Sequence, residues 1–117
     1  MLRHITINDG ALVNYTMDVY DGFMSRMQQA GYDVHAFPYD WRLDIETSAA
    51  ALEEYLKLKF PNRKVVLVGH SMGGLVARAY IEDANRASRV AKVVTVGTPY
   101  WGAPEMVRRM LDGKTGL

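Results

Sequence analysis

Apolar positions recur along this chain with two different periods, and the switches between them mark its elements. Over residues 16–30, Tyr20, Phe23, Met24 and Met27 fall on one face at helical spacing. Gly31 is placed to end that helix. Residues 32–37 read as a strand, closed by Pro38. A second helix is predicted over 45–59: Ile45, Ala49, Leu52 and Leu56 line one face, Asp44 supplies an N-cap and Pro61 follows the end. Val65-Val66-Leu67-Val68 is a short, mostly β-branched run suited to a buried strand. A helix leaves soon after it, with Leu75, Val76, Ala79 and Tyr80 inward and Arg78, Glu82 and Arg86 outward. Residues 92–96 make a third strand, broken by Gly97-Thr98-Pro99. Residues 100–103 form a loop, and Pro104 suits the first turn of a helix through Leu111. Ahead of these, His4 to Ile7, the turn signal Asn8-Asp9-Gly10 and Ala11-Leu12-Val13 form either a small hairpin or an irregular lead-in.

Strands that alternate with helices predict an α/β fold: a parallel sheet with helices on both faces. Three strands are clear in the pattern, and the N-terminal segment leaves room for one or two more. In open parallel sheets the chemistry collects at the carboxyl ends of the strands. Three such ends occur, at Tyr39-Asp40-Trp41-Arg42, at Ser71 and at Thr98-Pro99-Tyr100-Trp101, and all are rich in polar or aromatic residues.

Composition narrows the function classes. The 117 residues suit one domain at most, with 49% hydrophobic and 23% charged residues and a net charge of +1. Acids and bases are mixed along the chain, so no nucleic-acid footprint is expected. Cysteine is absent, which excludes a disulfide framework and a thiolate metal site. No acidic cluster suggests a metal site, and no cofactor is expected. There is no apolar run fit for a transmembrane segment or a signal peptide. Compartment is therefore cytoplasmic by default, with secretion open to a longer N-terminus.

The most informative stretch is Gly69-His70-Ser71-Met72-Gly73-Gly74. Gly-x-Ser-x-Gly between a strand and a helix is the nucleophile-elbow pattern of α/β-hydrolases. The turn must be so tight that side chains two before and two after the serine would collide with the neighbouring elements. Ser71 is then the candidate nucleophile, and the N–H of Met72, at the helix N-terminus, a natural oxyanion donor. Gly69, His70, Gly73 and Gly74 support the turn. Adjacent residues at a strand end face opposite sides, which puts His70 beneath it.

The run from Phe37 to Arg42, the elbow, and Val96-Gly97-Thr98-Pro99-Tyr100-Trp101-Gly102 occur in this order. Together they resemble the lecithin:cholesterol acyltransferase-like lipases of the α/β-hydrolase superfamily. The resemblance covers roughly residues 16–104. It implies a partial α/β-hydrolase and a serine hydrolase or acyltransferase acting on carboxylic esters, lipid esters above all. It also implies that Tyr39, Trp41, Tyr100 and Trp101 border the substrate. Packing against neighbouring loops is the competing reading of Trp41, Tyr100 and Trp101. Asp40 and Arg42 most simply pair with one another.

A serine hydroxyl needs a histidine to take its proton, and in this superfamily the order is serine, acid, histidine. His4, His35 and His70 all precede Ser71 in the chain. The acids after it are Glu82, Asp83, Glu105 and Asp112, and none stands at the tip of a later strand. The expected reading is the central, incomplete part of a single hydrolase domain, inactive in isolation. Two alternatives remain: a non-catalytic binding protein that keeps the hydrolase scaffold, and a split enzyme completed by a partner chain.

Overall fold

The structure is a computed structural model that describes residues 4–8, 14–18 and 20–113. The order of elements is β1 (His4–Asn8), β2 (Asn14–Asp18), α1 (Asp21–Gln29), α2 (Ile45–Lys59), β3 (Val65–His70), α3 (Met72–Glu82), α4 (Ala84–Ala87), β4 (Val90–Val96) and α5 (Pro104–Leu111). They group into two compact units, residues 1–43 and 44–117.

In the first unit β1 and β2 form an antiparallel hairpin, with His4 opposite Asp18 and Asn8 opposite Asn14. The hairpin alternative is thus the one that forms. Its second strand lies later than Ala11–Val13, which, with the Asp9-Gly10 turn, falls outside the described residues. This pairing claims Thr16, Met17 and Asp18, so the first helix begins at Asp21 and not at Thr16. Of its predicted face, Met24 is buried. Gly31 follows in the left-handed conformation at φ 91°.

Residues 32–37 do not form the expected strand. A strand exists by virtue of its neighbour's hydrogen bonds, and no ladder among the described residues includes this segment. It makes short-range contacts of its own. Asp33 and His35 approach to 2.7 Å, and the rings of Phe37 and Tyr39 stack at 5.9 Å between centroids. Three clear strands therefore reduce to two.

Those two, β3 and β4, make the parallel sheet of the second unit, in register from Val66 opposite Lys92 to His70 opposite Val96. The fold is a partial α/β arrangement. α3 packs on both strands and α2 packs on α3. The shared core is Ala49, Leu52, Leu56, Val76, Ala77 and Tyr80. Ala77 takes the inward place expected of Ala79. On the opposite face of the sheet Val66, Val68, Val94 and Val96 are exposed, so helices cover one face of this pair and not both.

α2 starts where its cap requires. Asp44 accepts the Thr47 N–H at 2.8 Å and the Thr47 hydroxyl at 2.7 Å. α3 stops at Glu82 because Asp83 turns extended and caps α4, accepting the N–H groups of Asn85 and Arg86. That places Arg86 against α2, where it donates to Glu53 at 2.9 Å and Glu46 at 2.8 Å and lies over the Tyr80 ring. It is a staple between helices, not the outward residue the periodicity suggests. Arg89 donates to the carbonyls of Leu56 and Phe60, which end α2.

Tyr80 is fully buried, and its hydroxyl has no hydrogen-bond partner among the described residues. Burial pushes its pKa up. An unpaired buried hydroxyl costs stability, while the ring contributes much of the core. Tyr80→Phe should leave stability unchanged or raise it by about 1 kcal/mol. Tyr80→Ala should cost about 3–5 kcal/mol. Urea unfolding of the three proteins checks the pair.

Candidate functional site

The site is built where β3 ends and α3 begins. Ser71 is the one non-glycine among the described residues with a positive φ, at φ 53° and ψ −124°. Holding a side chain there costs of order 1–3 kcal/mol and persists only when the surroundings impose it. The impositions are visible. The Ser71 N–H donates to the carbonyl of Val96 at 2.9 Å, and its carbonyl accepts from Gly74 at 3.0 Å. The turn is thus tied to the end of β4 on one side and to the first turn of α3 on the other.

Two glycines make the approach of strand and helix possible. A Cβ at Gly69 would lie 2.6 Å from the backbone of Gly73 and Gly74. A Cβ at Gly74 would collide with the side chain of Thr98, its Oγ1 first. Thr98 thereby packs the loop after β4 against the start of α3. Its hydroxyl is buried with no hydrogen-bond partner among the described residues. The sequence offered one signal for this role, the doubled Gly73-Gly74, since a second glycine implies a second close neighbour.

Serine is among the best N-cap residues, yet Ser71 makes no side-chain capping bond to α3. Its backbone does not take the extended conformation from which a cap reaches back over the helix. Met72 is the first residue of α3, where the N–H has no carbonyl of its own helix to meet and carries the positive end of the helix dipole. His70 ends β3 on its exposed side, paired in register with Val96.

The loop after β4 splits its two aromatics. The Tyr100 hydroxyl donates to Thr95 Oγ1 at 3.0 Å, and Arg78 lies 5.9 Å from its ring centroid. Trp101 is wholly exposed. Glu105 pairs with Arg108 and Arg109, Glu82 with Arg78, and Asp83 is occupied as a cap. Asp112 sits at the C-cap of α5.

In the first unit, Asp40 receives three hydrogen bonds from Arg42: the backbone N–H at 3.1 Å, Nε at 2.8 Å and Nη2 at 2.7 Å. The expected pairing forms, and it folds the chain into a turn with Trp41 exposed at the tip. Tyr39 is partly covered, and that burial, with Tyr20 nearby, raises its pKa. His35, expected to lie within a strand, is in irregular chain beside Asp33.

The comparisons decide the family. The model for lecithin:cholesterol acyltransferase matches residues 6–116. The chain belongs to the lecithin:cholesterol acyltransferase family. A GPI inositol-deacylase of Schizosaccharomyces pombe is 32% identical over 107 residues, 85% of this chain and 9% of that protein. A GPI inositol-deacylase of Candida albicans is 48% identical over 40 residues, 34% of this chain and 10% of that protein. An uncharacterised protein of Saccharomyces cerevisiae is 30% identical over 99 residues, 80% of this chain and 15% of that protein. The chain thus spans about a tenth of the two deacylases and 15% of the uncharacterised protein. No solved structure matches it.

Two outcomes test this geometry. Gly74→Ala should destabilise the chain by about 1–3 kcal/mol, and Thr98→Gly in the same chain should return part of that loss, a favourable coupling in a double-mutant cycle. Gly69→Ala meets backbone, so Thr98→Gly should not rescue it. Separately, Arg42 holds the Asp40 carboxyl down to about 2. Because the folded value is depressed, the pair's support for the turn is complete above the ordinary aspartate range and is lost as pH falls toward about 2. Carboxyl NMR should show that midpoint, and Arg42→Ala should return it toward 3.8.

Proposed function

We propose that this chain is the nucleophile-bearing centre of a serine hydrolase or acyltransferase acting on lipid esters, part of one hydrolase domain. The observation that carries it is the turn at Ser71: a serine at φ 53°, between a parallel strand and a helix, whose hydroxyl does not cap that helix. In this reading Ser71 Oγ attacks the ester carbonyl carbon. The carbonyl oxygen becomes an oxyanion held by the Met72 N–H, and collapse expels the alcohol and leaves an acyl-enzyme. Water or a second alcohol then takes the acyl group. Gly69, Gly73 and Gly74 shape the turn, with His70 supporting it. Tyr100 and Trp101, in the loop after β4, border the substrate. The two relatives named for deacylation of a GPI inositol favour an ester as the bond cleaved.

A base must take the Ser71 proton, and all three histidines precede Ser71. Of the acids after it, Glu82, Asp83 and Glu105 are engaged elsewhere, and Asp112 ends α5 at its C-cap and not at a strand tip. The acid and histidine of the triad therefore come from sequence outside these 117 residues, in the same polypeptide or in a partner chain. Loss of the histidine in such a triad costs on the order of a millionfold in turnover.

A fluorophosphonate probe tests both halves. The 117-residue chain should label no faster than a denatured control. A longer chain that includes a downstream acid and histidine should label rapidly, and Ser71→Ala should abolish it. Rapid labelling of the 117 residues would refute the need for an outside base. Labelling that survives Ser71→Ala would refute the nucleophile.

A further inference from the structure

The end of β4 and the loop after it are seated on α3 at alternate residues. The Val96 carbonyl accepts the Ser71 N–H at 2.9 Å. Thr98 fills the slot beside Gly74. The Tyr100 ring lies against the Arg78 guanidinium, 5.9 Å from its centroid. Positions 71, 74 and 78 are three and four apart, so they share one side of the helix. Tyr100 is the outermost of these seats, and it has a second hold. Its hydroxyl donates to Thr95 Oγ1 at 3.0 Å, so the side chain bridges β4 and α3. Arg78 is held in turn by Glu82 at 3.4 Å. The Tyr100 N–H donates to the Thr98 carbonyl at 3.0 Å, which ties Thr98 to the same hold.

Two forces oppose this seating. The Thr98 hydroxyl is buried with no partner among the described residues, which disfavours the slot it occupies. Ser71 also has a competing use for its oxygen. In the extended backbone of an ordinary N-cap, its hydroxyl would accept the N–H of Gly73 or Gly74, and the positive φ would be relieved. Both forces pull the start of α3 away from the arrangement seen. Tyr100 and Arg78 pull against them, through a hydroxyl bond to β4 and a cation over an aromatic face.

We propose that Tyr100 and Arg78 form a latch that keeps Ser71 out of the capping conformation, and that both are positioning residues for this serine. With the latch closed, Thr98 stays beside Gly74 and the first turn of α3 stays against the end of β4. With it open, Thr98 leaves the slot and the Ser71 hydroxyl turns to cap the helix. The same oxygen cannot cap α3 and attack an ester, so the latch selects between the two. Its catalytic meaning rests on the reading of Ser71 as nucleophile. Its conformational effect does not.

NMR of the 117-residue chain reads the conformation directly. A positive φ brings the amide and α protons of Ser71 close together, so the parent should give a strong Overhauser effect between them. Tyr100→Ala should weaken it and shift the Ser71 β-carbon, while the methyl signals of Leu52 and Val76 keep their positions. Arg78→Ala should act in the same direction by less, and Arg78→Lys, which keeps a cation over the ring, should return the parent spectrum. In a longer chain with a downstream acid and histidine, Tyr100→Ala should slow fluorophosphonate labelling about tenfold. On a short p-nitrophenyl ester it should lower kcat and leave KM unchanged. A raised KM with kcat unchanged would make Tyr100 a substrate contact and overturn the latch. An unchanged Ser71 spectrum in folded Tyr100→Ala would also overturn it. If Tyr100→Ala does not fold, the more exposed change Arg78→Ala decides by the same spectrum. A Ser71 that shifts as expected in a longer parent chain that never labels would support the latch and overturn the nucleophile alone.

Discussion

Strand β3 and helix α3 cross so closely at Gly69 that the space for a single methyl group is already taken by backbone. Everything local to Ser71 depends on that proximity. A chain leaving a strand and entering a helix within one residue must reverse direction, and the reversal forces that residue across to positive φ. The parallel ladder holds one end, since Ser71 donates to the far end of β4. Thr98 then pins the second strand's loop to the helix start through the slot left by Gly74. Strain at the serine, two glycines and a buried threonine hydroxyl are thus one arrangement seen from four positions.

Its chemical meaning follows from what the serine does not do. A serine ahead of a helix usually gives its hydroxyl to a backbone N–H. Here the backbone conformation withholds that bond and leaves the helix start uncapped. A positively polarised helix end and an unused hydroxyl are set side by side.

How far the sequence foretold this depended on the range of the forces involved. α2 emerges with its predicted bounds because its cap at Asp44 and its apolar face are written within fifteen residues of one another. β3, β4 and α5 were legible for the same reason: β-branched runs, punctuating glycines and a proline at the first helical position act locally. Residues 32–37 had the composition of a strand, but no ladder among the described residues includes them, and composition alone does not build one. Thr16 to Asp18 were read into the first helix, yet β1 recruited them into a ladder. Arg86 looked solvent-facing because its two carboxylate partners lie 33 and 40 residues away. At the site, the Gly-x-Ser-x-Gly spacing signalled the turn, whereas the contact of Thr98 with Gly74 is a tertiary fact.

The two-stranded sheet has a further property. Among the described residues β3 and β4 pair only with each other, so each presents an outer row of amide and carbonyl groups without a ladder partner. One surface of the same pair is apolar, through Val66, Val68, Val94 and Val96. Bare edges beside greasy valine rows are a template for intermolecular β-addition, the first step toward fibrous aggregates.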